Sequence, residues 1–200
     1  MNNYLSAKLI LFKKILKKNS TIITDSEIKQ YPLFRRIEKK RKLNLLSIGN
    51  LGNTFKILNH KIFNNYQLIR IEYNRKIYNL KINLYGSIQI KNLLMAVLAS
   101  KMCGLNIKNI FRTINKIRSV DGRLEFVRKL PNQSRIFLDY AHTPEALKKA
   151  VISLQEHFNK KITLVFGCGG ERDKPKRKLM GKIANKFGHK IYITDDNPRN

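Results

Sequence analysis

Two polar clusters near the end of the printed sequence combine residue types that could bind an anionic or zwitterionic ligand. The first is GCGGER at residues 167–172, and the second is DDNPR at residues 195–199. Glycines allow a backbone to approach a ligand closely, and a guanidinium group can bind a carboxylate or phosphate through two parallel hydrogen bonds. Arg172 and Arg199 are therefore candidate ligand-binding residues.

The elements around these clusters predict that both lie at one edge of a sheet. An apolar run at 162–166 precedes the first cluster, a helical pattern follows it, and a second apolar run leads into the second cluster. The order strand, loop, helix, strand is typical of a parallel sheet, whose ligands bind beyond the carboxyl ends of the strands. Without a ligand, the same residues would form a tight turn and surface ion pairs worth about 0–1 kcal/mol each.

A third cluster, DYAHTP at residues 139–144, lies where a predicted strand passes into a helix. Thr143 can cap this helix, and Pro144 suits its first position. A helix N-terminus favours an anion or a nucleotide, and Asp139 could accept hydrogen bonds from ribose hydroxyls. The pattern is equally consistent with an Asp139 that only orders the turn and a His142 that is a surface residue.

The apolar periodicity predicts an α/β chain with an antiparallel meander attached to a larger sheet. Turns are expected at Asn64-Asn65 and Asn74-Arg75, and a domain boundary near 118–121, followed by an ordered βαβ series. The helices are predicted over 3–17, 26–40, 89–103, 107–117 and 143–158, and the strands over 21–24, 43–48, 54–58, 61–73, 77–84, 124–127, 134–139, 162–167 and 190–195. The residues predicted to face inward include Leu5, Leu9, Phe12, Leu16, Leu93, Leu94, Val97, Leu98 and Met102.

The composition favours a cytoplasmic protein and leaves a nucleic-acid role open. Two cysteines form neither a disulfide framework nor a metal cluster, and no apolar run approaches the length of a membrane helix. A net charge of +28 would suit a nucleic-acid partner. However, the lysines are spread along the whole chain and no nucleic-acid motif accompanies them, so a biased codon composition is the favoured explanation.

The segments FGCGGERDKPKR and TDDNPR resemble motifs of the Mur ligase family, and specifically of the branch that adds meso-diaminopimelate to a peptidoglycan precursor. The resemblance implies that Arg172, Asp196, Asn197, Pro198 and Arg199 bind meso-diaminopimelate. In this arrangement, two guanidinium groups bind its carboxylates, and the aspartate and asparagine bind its ammonium and polar groups.

The same resemblance implies sites for ATP and magnesium. DYAHTP is similar to a family motif near ATP, which implies nucleotide contacts for Asp139 and His142, and the GRLE segment resembles a family element that brings Arg123 to the phosphates. The segment YLSAK–LF resembles a family helix whose lysine, here Lys8, is carbamylated and helps to hold Mg²⁺. GSIQIKN resembles a family helix start, with Ile and Gln where the family has Phe and Asn, and implies an adenine contact for Asn92.

The resemblance implies a partial enzyme of α/β fold. Residues 1–119 would be the C-terminal part of a central ATP-binding domain, and 120–200 the first half of a Rossmann-like C-terminal ligase domain. The implied reaction joins meso-diaminopimelate to UDP-MurNAc-L-Ala-D-Glu through an acyl phosphate, with ATP and Mg²⁺. No stretch matches the phosphate-binding pattern G-x-x-G-K-[ST], so the chain alone is expected to be inactive.

Three interpretations remain open from the sequence. The chain is a fragment of an active ligase, a decayed or split gene product that needs a complementing chain with the phosphate-binding loop, or a basic nucleic-acid-binding module. The partners expected under the first interpretation are the two small-molecule substrates, without a membrane and without nucleic acid.

Overall fold

The N-terminal helix packs through the apolar face that the sequence predicts. In the computed structural model, which describes residues 2–170 and 173–196, helix α1 (Asn2–Ile10) continues as a π-helical stretch, Leu11–Ile15. Leu9 is buried, and three partly buried residues of the predicted face, Leu5, Phe12 and Leu16, pack on the same cluster. That cluster contains Leu9, Ile22, Ile37, Leu43 and Leu45.

A strand–helix–strand unit follows. Strands β1 (Thr21–Asp25) and β2 (Asn44–Gly49) are parallel, with Thr21 opposite Asn44, and helix α2 (Tyr31–Arg41) connects them. The prediction that α2 begins at residue 26 is wrong, because residues 26–30 form turns. Pro32 lies in the first turn of α2, where its missing N–H has no intrahelical acceptor to lose.

Three further strands extend this sheet in the order β1-β2-β3-β4-β5. They are β3 (Phe55–Phe63), β4 (Tyr66–Tyr73) and β5 (Lys76–Ile82), and the turns at 64–65 and 74–75 lie where they were predicted. Since a two-residue connection joins antiparallel strands, the predicted meander is present. The predicted break between residues 58 and 61 is wrong, because β3 continues through its exposed polar residues.

Residues 50–54, between β2 and β3, are held by a compact hydrogen-bond network. The Asn53 side-chain oxygen accepts from the Ser47 backbone N–H at 2.7 Å and from its hydroxyl at 2.9 Å, and the Asn53 amide nitrogen donates to the Leu45 carbonyl at 2.7 Å. The Ser47 hydroxyl oxygen in turn accepts from the Asn53 backbone N–H at 2.9 Å. Because Ser47 is fully buried, these bonds satisfy polar groups that water cannot reach.

Helices α3 (Ser87–Met102) and α4 (Ile107–Thr113) follow the meander. The four central residues of the predicted face of α3 are buried, but Met102 is 49% exposed, so its predicted inward orientation is wrong. The Asn106 side chain accepts a hydrogen bond from the Lys108 backbone N–H at 2.9 Å and caps α4 as predicted.

The last third of the chain contains two separate pairs of strands. Strands β6 (Glu125–Lys129) and β7 (Arg135–Leu138) are antiparallel, whereas β8 (Thr163–Phe166) and β9 (Lys190–Ile193) are parallel. Helix α5 (Pro144–Phe158) connects β7 to β8, and helix α6 (Lys174–Phe187) connects β8 to β9. The predicted βαβ series is therefore correct for β8-α6-β9 but wrong for β6 and β7, which form a hairpin with residues 130–134 as the turn.

The chain divides into two compact units, each with its own core. The first unit comprises Met1–Lys61, Leu68–Lys81 and Lys91–Asn115, and the second comprises Ile62–Gln67, Ile82–Ile90 and Lys116–Asn200. The core of the second unit includes Leu147 and Val151 of α5, Leu164 of β8, and Met180 and Ala184 of α6.

No helix in residues 2–170 and 173–196 is long and apolar enough to cross a membrane.

The network around Asn53 predicts a large effect of its removal. Asn53→Ala removes the side-chain acceptor of the Ser47 backbone N–H and hydroxyl and the side-chain donor to the Leu45 carbonyl, so we expect the free energy of unfolding in urea to fall by about 2 kcal/mol. Asn50→Ala, three residues away on the exposed surface, is the matched control and should change it by less than about 0.5 kcal/mol. Equal losses in both variants would contradict the structural role of the network.

Candidate functional site

A turn before β6 is tied to the end of β7 by two hydrogen bonds. The Leu124 backbone N–H donates to the Asp139 carboxylate at 2.9 Å, and the Tyr140 backbone N–H donates to the Gly122 carbonyl at 2.8 Å. Leu124 has a φ of +45° and is only 2% exposed. The turn therefore holds a buried leucine in a conformation that L-residues rarely adopt, and Asp139 stabilises it through one carboxylate oxygen.

Three sequence-predicted residues meet around this turn. The Arg123 guanidinium lies 5.3 Å from the centre of the Tyr140 ring. The centre of the His142 ring lies 5.4 Å from the centre of the same Tyr140 ring. His142 Nδ1 is 3.1 Å from the Tyr140 carbonyl oxygen. Arg123, Asp139 and His142 are all exposed, so the structure presents a cation, an acceptor and an imidazole to solvent beside the N-terminus of α5.

Gln89 is a member of this group that the sequence reasoning did not select. Its side-chain nitrogen donates to the Arg123 carbonyl at 2.5 Å. The signal was the position of Gln89 in GSIQIKN, where the Mur ligase pattern has asparagine. The bond fixes the backbone of Arg123 while its guanidinium is left at the surface.

The two polar clusters that open the sequence argument converge at the ends of β8 and β9. Gly169 pairs with Asp196 in an isolated parallel bridge, and the residues around them line a cavity of about 320 Å³. A Cβ atom at Gly167 would lie 2.4 Å from the Thr194 carbonyl oxygen, so only glycine allows the two loops to approach this closely. The cavity is lined by Phe166, Gly167, Cys168, Gly170, Arg177, Gly181, Ile193, Thr194, Asp195 and Asp196.

Arg177 supplies a guanidinium group to this cavity. Its Nη2 donates to the Gly169 carbonyl at 3.1 Å, which ties α6 to the glycine loop. The sequence reasoning missed Arg177, although its position one turn into the basic helix after Asp173 was the available signal. Asp196 is exposed at the same cavity, so a positive and a negative group line one small space.

Four of the five residues predicted to bind meso-diaminopimelate lie outside the described residues. They are Arg172, Asn197, Pro198 and Arg199. The fifth, Asp196, is the one that the structure places, and it lies at the cavity beside the glycine loop.

Lys8 and Asn92 belong to the first unit and are both exposed. The Lys8 ammonium lies 4.5 Å from the centre of the Tyr4 ring, on the same helix. Within residues 2–170 and 173–196, no three His, Cys, Asp or Glu side chains come together in a way that could hold a metal ion. A metal bound through Lys8 would therefore need ligands from elsewhere.

The first unit also contains an ion-pair cluster next to Asn92. The Lys91 ammonium lies 2.8 Å from an Asp25 carboxylate oxygen and 2.5 Å from a Glu27 carboxylate oxygen. Burial acts to lower the pKa of Lys91, but its hydrogen bonds to Asp25 and Glu27 outweigh burial and raise this pKa. The hydrogen bond from Lys91, with a second from the Asn50 backbone, lowers the pKa of Glu27. The cluster joins α3 to the end of β1.

Both the N-terminal and the C-terminal part of the chain match domains of one known protein family. Residues 1–100 match the Mur ligase middle domain, and residues 122–200 match the Mur ligase, glutamate ligase domain. The predicted boundary near residue 119 falls between the two matches and stays a prediction.

Curated relatives and solved structures agree with these matches. The chain is 39% identical over 199 residues to a UDP-N-acetylmuramoyl-L-alanyl-D-glutamate--2,6-diaminopimelate ligase of Rickettsia typhi and 38% identical to the ligase of the same name from Rickettsia bellii. Each alignment covers 98% of this chain, but only 39% and 41% of the respective relative, so the chain spans about two fifths of their length. The fold is similar to that in a crystal structure of MurF ligase from Thermotoga maritima in complex with ADP, with a TM-score of 0.72 and 18% sequence identity. The match covers 98% of this chain and 48% of the MurF chain.

The Lys91 cluster predicts a pH-dependent stability. Lys91→Met leaves two neighbouring carboxylates without their cation, so we expect the free energy of unfolding to fall by about 1 kcal/mol at pH 7. The lowered pKa of Glu27 stabilises the fold above its unfolded value of about 4.5, and this contribution is lost as the pH falls through the folded value. The raised pKa of Lys91 acts oppositely, and its contribution is lost as the pH rises above 10.5.

Urea denaturation between pH 3 and pH 9 measures this effect. The difference in unfolding free energy between the unsubstituted chain and Lys91→Met should shrink as the pH falls below about 4.5. Lys101→Met, on the same helix and without an ion pair in the described part of the chain, is the control. A difference that does not change with pH would contradict the role of the ion pair.

Proposed function

We propose a function for this chain on the premise that it belongs to the Mur ligase family, whose middle and glutamate ligase domains it matches. The chain is proposed to be part of a MurE-type ligase that adds meso-diaminopimelate to UDP-MurNAc-L-Ala-D-Glu. The observation that carries this proposal is the bridge between Gly169 and Asp196, beside which Gly167, Gly170 and Asp196 line one cavity. Gly169 and Asp196 both belong to the motifs from which the amino-acid specificity was predicted.

The chemistry of this cavity suits a zwitterionic amino acid with two carboxylates. Asp196 supplies an acceptor for an ammonium group, and Arg177 supplies a cation at the same cavity. Arg172 and Arg199 are proposed to bind the carboxylates, with Asn197 and Pro198 completing the loop. Bidentate guanidinium–carboxylate pairs give both affinity and orientation.

The group around Tyr140 is proposed to bind ATP. Arg123 would contact the phosphates, and the N-terminus of α5 beside it would favour the same negative charge. One carboxylate oxygen of Asp139 accepts a hydrogen bond from the Leu124 backbone N–H. The second oxygen is proposed to accept a hydrogen bond from a ribose hydroxyl. His142 is proposed as a further nucleotide contact, and Asn92 as the adenine contact.

Lys8 is proposed to bind Mg²⁺ as its carbamate. Mg²⁺ is commonly held by one or two carboxylate-type ligands together with phosphate oxygens and water. A carbamate on the exposed Lys8 would supply one such ligand. Carbamylation requires a neutral amine and carbon dioxide, and the exposed position of Lys8 allows carbon dioxide to reach the amine. When bound, Mg²⁺ would neutralise charge on the nucleotide phosphates.

The proposed overall reaction proceeds in two steps. The D-glutamate carboxylate attacks the terminal phosphorus of ATP and releases ADP, and the amine of meso-diaminopimelate then attacks the acyl phosphate. Phosphate leaves and the amine loses a proton, so an amide forms. Since no stretch of the 200 residues carries G-x-x-G-K-[ST], we propose that they do not complete this reaction without polypeptide that supplies the phosphate-binding loop. The two free cysteines suit a cytoplasmic location.

Calorimetry with meso-diaminopimelate tests the amino-acid pocket. We expect the folded chain to bind meso-diaminopimelate about tenfold or more tightly than L-lysine, which lacks the second carboxylate. Arg199→Ala should remove this preference, because it deletes one bidentate partner. Arg128→Ala, an exposed arginine of β6, is the matched control and should keep it. Equal binding of the two amino acids to the unsubstituted chain would contradict the proposed specificity.

Ligand-observed NMR with ATP and adenosine tests the nucleotide site. Arg123→Ala should weaken ATP binding about tenfold and leave adenosine binding unchanged, because the guanidinium is assigned to the phosphates. Asn92→Ala should weaken both ligands, because its contact is assigned to adenine. Arg128→Ala is again the control. An Arg123→Ala chain that loses ATP and adenosine equally would contradict the assignment.

A further inference from the structure

Two helical segments of the first unit end at the same edge of the five-stranded sheet. The π-helical stretch Leu11–Ile15 leads into β1 and α2 leads into β2, so both end shortly before these parallel strands begin. Two hydrogen bonds hold the ends together. The Arg41 guanidinium donates to the Leu16 carbonyl at 2.7 Å, and the Asn19 backbone N–H donates to the Lys42 carbonyl at 2.8 Å. The lysines that flank both ends therefore share one surface.

This surface carries a cluster of exposed lysines, which we call the basic patch. It consists of Lys13, Lys14, Lys17, Lys18, Lys39 and Lys40. Within residues 2–170 and 173–196, none of these six side chains forms an ion pair. Of the three acidic residues in 1–43, Asp25 and Glu27 bind Lys91, and Glu38 is half-buried on α2. Folding thus gathers lysines that the sequence shows only as spread along the chain.

The basic patch lies at the opposite edge of the sheet from the place where a ligand is expected. Ligands of a parallel sheet bind beyond the carboxyl ends of its strands. At that end of β1 lies Asp25, paired with Lys91, which is followed by Asn92. The lysines of the patch are at the beginning of β1 and β2. Like charges gathered on one surface repel one another, and an anionic surface that approaches them relieves this repulsion.

Two exposed aliphatic side chains lie among these lysines. Leu11 and Ile15 are 44% and 65% exposed. Leu11, Lys14 and Ile15 lie at steps of three and four residues, so they share one face of the helical segment, and Lys17 and Lys18 follow directly. The patch therefore combines cations with apolar groups that project into solvent.

We propose that the basic patch binds the anionic phospholipid surface of a membrane. The lysine ammonium groups contact lipid phosphates, and Leu11 and Ile15 enter the boundary between headgroups and acyl chains. Interfacial protein segments combine these two kinds of side chain, and each lysine close to an anionic bilayer adds to the attraction. The inference uses the first unit alone and does not depend on the substrates proposed above.

The side chains of the patch favour lipid over nucleic acid. A nucleic-acid duplex is attracted by the lysines alone, which gives no role to the exposed Leu11 and Ile15. Proteins that bind single-stranded nucleic acid stack bases on aromatic side chains, whereas the apolar side chains among these lysines are aliphatic. An anionic bilayer uses both the charge and the aliphatic groups.

Co-sedimentation with lipid vesicles tests the inference. In about 0.15 M salt, the full chain should bind vesicles of phosphatidylcholine and phosphatidylglycerol in equal parts. Its binding to vesicles of phosphatidylcholine alone should be at least about tenfold weaker. A fourfold variant with Lys14→Gln, Lys18→Gln, Lys39→Gln and Lys40→Gln should bind the anionic vesicles about tenfold or more weakly than the unsubstituted chain.

A matched control separates the patch from the general positive charge of the chain. It removes four exposed lysines of the second unit, through Lys160→Gln, Lys161→Gln, Lys178→Gln and Lys182→Gln. Both variants lower the net charge equally, so an attraction due only to net charge weakens equally in both. The control should change binding to the anionic vesicles by less than about threefold.

A second variant tests the apolar part of the patch at constant charge. Ile15→Ser should weaken binding to the anionic vesicles about fivefold and leave binding to a DNA duplex unchanged. Circular dichroism checks that each variant is folded. If the fourfold variant does not fold, Ile15→Ser and the comparison of the two vesicle types still decide the question.

Four results would overturn the proposal. In the first, the unsubstituted chain binds both vesicle types equally or binds neither. In the second, the patch variant and its control lose equal amounts of binding, which would assign the attraction to net charge. In the third, the patch variant loses binding to a DNA duplex while Ile15→Ser binds vesicles normally, which would assign the patch to nucleic acid. In the fourth, the chain self-associates without vesicles and Ile15→Ser prevents this, which would assign the patch to a second copy of this chain.

Discussion

The hydrogen bond from the Leu124 backbone N–H to the Asp139 carboxylate organises the second unit around the proposed nucleotide site. It holds Leu124 at a φ of +45° with its side chain buried. That side chain packs so closely on Gly86 that a Cβ atom there would lie 2.7 Å from Leu124 Cδ1. Gly86 itself has a φ of +80° and precedes α3. One carboxylate therefore fixes a turn, a buried leucine and a helix start, while the exposed Arg123 guanidinium lies at the surface with one hydrogen bond, to the Gly122 carbonyl.

This arrangement supports one of two roles that the sequence left open for Asp139. Asp139 was equally consistent with a turn-ordering residue and with a ribose contact, and the structure shows that it orders the turn. A carboxylate has two oxygens and can accept several hydrogen bonds, so the ribose role remains compatible as a proposal. A residue with both roles would couple ligand binding to the strained turn at Leu124, because a change at the second oxygen alters the acceptor that holds the first contact.

Local patterns predicted the parts of the structure that depend on local sequence. The turns at 64–65 and 74–75, the cap at Asn106 and the β8-α6-β9 unit follow from residue types a few positions apart, and the structure confirms them. The errors arose where a distant neighbour decides. β7 pairs with β6 and not with β8, and β3 continues through polar residues because its partners in the sheet, not its own alternation, supply its hydrogen bonds. Arg177 was missed because only the fold brings it to Gly169.

Strand β8 positions the proposed amino-acid site. It pairs in parallel with β9, and the loops that follow the two strands bring Gly169 beside Asp196. The hydrogen bond from Arg177 to the Gly169 carbonyl holds the glycine loop from the side of α6. Because a ligand loses less conformational entropy when it orders a loop that is already held in place, these contacts favour binding at the cavity.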